Sequence, residues 1–230
     1  MKLLGIETAS DACSVALDTG TEVLERHHEQ PRMHGRLLLD MAVELLAEAE
    51  LSLAGLDALV VGRGPGSFTG VRIAVGAAQG LAFGANLPLV PVSSLAALAQ
   101  GVVRRDGSAG VVTAVDARMD EVYWGVWQAD AHGVVAEVVP ERVCSPADID
   151  LPAGHWRASG SGWQAYPEIL EAAVRGQPGR VSEAPGQPQL ARALDLLPMA
   201  RQMLAGGGEF APEQAVPVYL RDSVAWQKNG

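Results

Sequence analysis

Aromatic side chains are scarce in this sequence, 5% of its 230 residues, and cysteine is nearly missing, with only Cys13 and Cys144. Two thiols so far apart exclude a disulfide framework and a cysteine-rich zinc module. Each is expected to be a small buried hydrophobe. Basic charge is also in short supply: 17 Lys and Arg face 27 Asp and Glu, a net charge of −10, and no basic run exceeds Arg104-Arg105. Affinity for nucleic acid comes largely from neutralising phosphates, so this chain is not built to grip RNA unaided. No apolar run approaches the roughly 20 residues that cross a bilayer. Glu7 interrupts any signal-peptide core, and the compartment expected is the cytoplasm.

What is present is 48% apolar residues against 19% charged ones, a balance that excludes disorder. The length allows two lobes, each with its own core. Residues 3–7, 12–17 and 23–28 read as three short strands joined by polar turns. A helix over 34–49, a strand over 58–62, a glycine-rich turn, a helix over 70–84, a strand over 89–92 and a helix over 93–104 follow. Arg105-Asp106-Gly107-Ser108 is the best boundary. Beyond it the opening pattern returns, with strands over 111–116, 121–127 and 134–139. Glu7 and Asp116 then hold equivalent places, so the chain reads as a duplicated β-meander with appended α/β units. A surface loop is expected over 181–189. A helix should run over 189–205, ended or kinked by Pro198.

The two N-terminal helices carry more apolar surface than one sheet can cover. In the first, Arg36, Asp40, Glu44 and Glu48 recur every four residues and span an arc of roughly 120°. Leu38, Ala42 and Leu45 suffice for the home core. That leaves Leu37 and Met41 on one flank, Leu39 and Val43 on the other. The second has only Arg72 and Gln79 as polar residues, and its small residues, Gly76 and Gly80 among them, invite a close neighbour. Helix-on-helix pairing is the expectation, through Leu37, Leu39, Met41, Val43, Val71, Ala74 and Ala78.

The turn Gly62-Arg63-Gly64-Pro65-Gly66-Ser67 links a strand to a helix, the arrangement that cradles phosphate. It lacks the lysine of a P-loop and the third glycine of the dinucleotide fingerprint. Among the five histidines no pair has the i,i+4 spacing of metal ligands. Ser10, Ser67 and Ser94 lie in no nucleophile-elbow pattern. Asp116, Arg118 and Glu121 form the densest charged constellation. No catalytic residue, metal ligand or cofactor is expected. Glu7, Thr8, Gly64, Gly66, Ser67, Asp116 and Arg118 are the candidates to face a nucleotide or phosphate.

Three stretches then carry a resemblance: Ile6-Glu7-Thr8-Ala9, the run from Gly62 to Ile73, and Val115-Asp116-Ala117-Arg118-Met119-Asp120-Glu121. With Gly162-Trp163-Gln164-Ala165 and Pro217-Val218-Tyr219-Leu220-Arg221, they resemble the bacterial TsaB family, also called YeaZ, over nearly the whole chain. The resemblance implies an α/β ASKHA (actin-like, Hsp70-like) fold of two ribonuclease-H-like lobes. These would be residues 1–105 and 106–215, with a tail over 216–230 able to pack back on the first. It implies a non-catalytic accessory role in forming threonylcarbamoyladenosine in tRNA. The partners implied are the TsaD-like paralogue, a threonylcarbamoyl transferase, and a TsaE-like ATPase. The same helices would form a homodimer when the protein is alone, and tRNA would be met only indirectly. In TsaD a His-x-x-x-His pair holds metal, and the matching positions here are Ser94 and Leu98. Glu7 stands where aspartate is usual, and the turn after Asp116 lacks glycine. The alternatives are a metallopeptidase-like hydrolase and a stand-alone nucleotide-binding ASKHA protein.

Overall fold

The computed structural model describes residues 1–30, 33–182 and 189–221. Most of the loop expected over 181–189, and the tail beyond Arg221, lie outside them.

Short β-branched and leucine-rich runs separated by polar turns zip into an antiparallel meander: β1 (Leu3–Glu7), β2 (Cys13–Asp18) and β3 (Val23–His28). Parallel strands need crossover helices. Here α1 (His34–Glu48) leads to β4 (Ala58–Gly62) and α2 (Phe68–Ala85) to β5 (Leu89–Val92), giving the order β3-β2-β1-β4-β5. After α3 (Ser94–Asp106) the pattern repeats. β6 (Gly110–Arg118), β7 (Glu121–Ala129) and β8 (Val135–Cys144) form the meander; β9 (Gly154–Ser159) and β10 (Gly179–Val181) add in parallel. The second sheet, β10-β9-β6-β7-β8, has the topology of the first. The duplication read from the sequence is therefore a duplication of fold.

The layers follow from strand alternation. Leu4 and Ile6 of β1 face α1 and α2, while Leu3 faces α3 and the elements after residue 190. That middle core also takes Val111, Trp127 and Val135 from the second sheet, which explains why residues 94–102 of α3 are all buried. The far side of the second sheet packs Val112, Trp124 and Trp156 against α4 (Gly162–Ala165) and α5 (Pro167–Arg175), through Trp163 and Leu170.

The last helix corrects one expectation. A short 3-10 turn, Ala193–Asp195, precedes α6 (Leu197–Ala205), and Pro198 lies in the first turn of α6 instead of ending it. A helix start has no use for the N–H that proline lacks. The 3-10 turn sits on the first sheet: Ala193 N donates to Ser14 Oγ at 2.9 Å. A Cβ on Gly5 would come within 3.0 Å of the Ala193 carbonyl oxygen, so glycine in β1 permits that approach. Arg104 of α3 donates to buried Asp195 at 2.7 Å and pins the turn.

Candidate functional site

Two regions compete: the face between the lobes, and the outer face of α1 and α2. In the first, the loop after β4 is stitched to the turn after β1. Ser67 N donates to the Ala9 carbonyl at 2.7 Å, and Thr8 Oγ1 donates to the Gly70 carbonyl at 2.7 Å. Gly64 N donates to Ser94 Oγ at 3.2 Å, and Gly70 N to Ser67 Oγ, the N-cap of α2, at 3.2 Å. A Cβ on Gly66 would stand 2.3 Å from the Ala9 oxygen, and one on Gly70 2.0 Å from the Thr8 oxygen. These glycines serve loop-on-loop contact. The N–H groups of Gly64, Ser67 and Gly70, which a phosphate would need, already have protein acceptors.

Glu7 is wholly buried. Its carboxylate accepts from Ala9 N at 2.6 Å and from Ser94 Oγ at 2.7 Å. Burial pushes its carboxyl above the usual range, against the opposing hydrogen bonds from Ala9, Ser94 and Thr8. Glu7, Thr8 and Gly64, three of the candidates to face a phosphate, are buried and engaged inside the first lobe. Gly66 packs on Ala9 and Ser67 caps α2.

Across the cleft, Asp116 is held at the end of β6. Its Oδ1 accepts from Arg118 N at 2.8 Å and Tyr166 Oη at 3.1 Å, and its Oδ2 pairs with Arg118 at 2.9 Å. The cavity between the lobes measures about 50 Å³, with Ser10, Pro65, Ser94, Leu98, Val115 and Ser161 in its wall. Sites for small organic ligands run to about 300–1,000 Å³, so this one, as it stands, is too small for a nucleotide. Ser94 and Leu98 offer a hydroxyl and an aliphatic chain. Among the described residues no group of three His, Cys, Asp or Glu is placed to hold a metal ion.

On the outer face the residues expected to pair divide into covered and exposed ones. Met41, Val71, Ala74 and Ala78 are buried in the first lobe's own core, and Leu37 is partly buried against it. Leu39 and Val43 are 48% and 65% exposed. Arg26 of β3 pairs with Glu44 and Glu48, which fixes the Leu37/Met41 flank over that strand. The opposite flank turns to α2: a Cβ on Gly35 would lie 3.9 Å from Ile73 Cδ1. Along α2, an added Cβ on Gly76, Gly80 or Gly84 would meet nothing within 4 Å. Their four-residue spacing was a readable sign of one glycine face. Sequence reasoning missed Phe68, 61% exposed with the Arg72 guanidinium 3.1 Å from its ring centre, and Glu141, a buried carboxylate paired with Arg63 at 2.7 Å. No spacing signalled the latter, since 78 residues separate the partners.

Two ribonuclease-H-like lobes of identical topology, facing one another across a cleft, define an ASKHA-type protein. The solved structure of YeaZ from Pseudomonas aeruginosa superposes with a TM-score of 0.84 at 40% identity, over 95% of this chain and 99% of that one. A Listeria monocytogenes protein assigned as an N-acetylmannosamine kinase shares the fold at a TM-score of 0.50 and 10% identity, over 90% of this chain and all of that one. The family model described as TsaD, tRNA N6-adenosine threonylcarbamoyltransferase, matches residues 22–228. The tRNA threonylcarbamoyladenosine biosynthesis protein TsaB of Escherichia coli is 43% identical over 99% of this chain and 98% of its own length. The chain belongs to the TsaB (YeaZ) family.

Proposed function

We propose that the protein serves tRNA threonylcarbamoyladenosine biosynthesis as a non-catalytic subunit, pairing α1 and α2 with a TsaD-like paralogue. A TsaE-like ATPase joins the assembly, tRNA is met through the partners, and the same helices form a homodimer when the protein is alone. One observation carries this reading: Leu39 and Val43 stand exposed beside the open glycine face of α2. Burying each such side chain contributes roughly 1.5–3 kcal/mol, and glycines let a partner's backbone come close enough to do so. The relatives' naming supports the pathway. Neither alternative gains support. A nucleotide-binding role meets the small cleft, and a metallopeptidase meets Ser94 and Leu98 where histidines would be needed. Among the described residues no helix is long and apolar enough to cross a membrane; the site of action proposed is the cytoplasm.

The test places a charge on the exposed flank. Leu39→Glu and Val43→Glu should keep the circular dichroism and melting temperature of the parent. They should lose co-purification with a TsaD-like protein, and a reconstituted modification assay should fall with them. Full modification by a folded variant that no longer binds the partner would end the accessory-subunit reading.

A further inference from the structure

Residues 217–221 cross the rim of the cleft and touch both lobes. On the first, Val218 N donates to the Arg63 carbonyl at 2.9 Å. Tyr219 sits 5.8 Å, centre to centre, from the Phe68 ring, with the Arg72 guanidinium 4.9 Å from its own centre. On the second, Arg221 donates to the carbonyls of Ala117 and Arg118, each at 3.2 Å, and to the Glu121 carboxylate. Its other terminal nitrogen lies 3.3 Å from Met119 Sδ.

The turn so gripped is strained. Arg118, Met119 and Asp120 have φ of 63°, 57° and 59°, three consecutive non-glycine residues in the left-handed region. L-residues resist that region because Cβ crowds the following carbonyl. Burial does not repay the cost, since Met119 is 66% exposed. Asp116 offsets part of it by accepting from Arg118 N. The strand ladder pairs Arg118 with Glu121 across the turn, and residue 221 adds a side-chain anchor: its Nη2 reaches two carbonyls and the Glu121 carboxylate, two N–H groups serving three acceptors.

We propose that residues 217–221 are a strap in which Arg221 holds the β6–β7 turn in its left-handed form and so clasps the second lobe to the glycine loop of the first. The strap is independent of any partner. Hydrogen exchange read by mass spectrometry on the full chain tests it. In Arg221→Ala, amides of 118–121 should exchange about tenfold faster, and those of the 64–67 loop should also speed up as Val218 detaches. Arg221→Lys keeps one charge opposite Glu121 and should fall between. Adding Asp120→Gly to Arg221→Ala should restore protection of the turn, because glycine adopts positive φ without penalty. Unchanged exchange in Arg221→Ala, or no rescue by Asp120→Gly, overturns the proposal. A response confined to 118–121 overturns the clasp. Should Arg221→Ala fail to fold, Glu121→Gln removes the ion pair alone; faster exchange at 118–121 there sustains the proposal and parent-like exchange overturns it.

Discussion

Glu7 is a carboxylate enclosed wholly within the first lobe. Its charge is sealed off, and only Ala9, Ser94 and Thr8 soften the burial that raises its carboxyl above the ordinary range. A carboxyl whose folded value exceeds its unfolded one costs no stability below the unfolded value. Above it the deficit grows with pH until the folded value is passed. Glu7→Gln has no charge to bury, so its stability relative to the parent should rise between about pH 4 and about pH 8. Urea midpoints at the two ends would measure this, and a constant difference would mean that Glu7 is not the strained group inferred. Gly70 makes the steric counterpart. With the Thr8 oxygen 2.0 Å from the position of its absent Cβ, Gly70→Ala should destabilise by about 3 kcal/mol, since neighbouring backbone must move. A loss of less than about 1 kcal/mol in urea unfolding would remove the packing explanation.

At the scale of elements, α2 has two faces made of equally small residues with opposite duties. Ala74 and Ala78 are core; Gly76 and Gly80 face open space. Gly76→Ala should therefore stabilise the isolated protein by about 0.5–1 kcal/mol, as for any exposed helical glycine, visible as a rise of a few degrees in melting temperature. Gly80→Leu should leave that temperature near the parent's yet abolish pairing, because its side chain would fill the space proposed for a partner's backbone. Retained pairing by Gly80→Leu would place the partner elsewhere. The elements of the first lobe and the β6–β8 meander of the second were legible from alternation and four-residue spacing, since those periods are properties of the chain itself; β9, α4, α5 and β10 are too short to show a period and were not read. The duties of the helix flanks were not. Leu37 and Met41 have the same spacing and chemistry as Leu39 and Val43. Only the position of β3, anchored by Arg26 to Glu44 and Glu48, decides which pair is covered. The partners of the glycine loop were hidden for a related reason: its composition advertises free N–H groups, and only the fold shows Ala9 and Ser94 accepting them.

For the whole molecule, the question is what fixes one lobe against the other. The middle core supplies adhesion without direction, through α3 packed between two sheets. Direction comes from charged contacts across the boundary, and Arg63 is central to them. Its carbonyl accepts from Val218, and its guanidinium pairs with Glu141 of β8, which also accepts from Ser93 at the start of α3. The Glu141 side chain is 8% exposed, and burial raises its carboxyl above the ordinary range, with Ser93 and Arg63 opposing that rise. Arg63→Ala would leave this carboxylate buried without its counter-charge, a loss of about 3 kcal/mol. Acidification lets Glu141 take up a proton, and a neutral carboxyl needs no cation. The deficit of Arg63→Ala relative to the parent should therefore be large at about pH 8 and shrink toward about pH 5. In the double variant Arg63→Ala/Glu141→Gln no buried charge remains, so its deficit should be smaller and nearly flat across the same range. Urea unfolding of the three proteins at both pH values separates the cases. A deficit for Arg63→Ala that ignores pH would assign Arg63 to packing by its aliphatic stem alone. The charge link between the glycine loop and β8 would then contribute nothing to how the lobes are held.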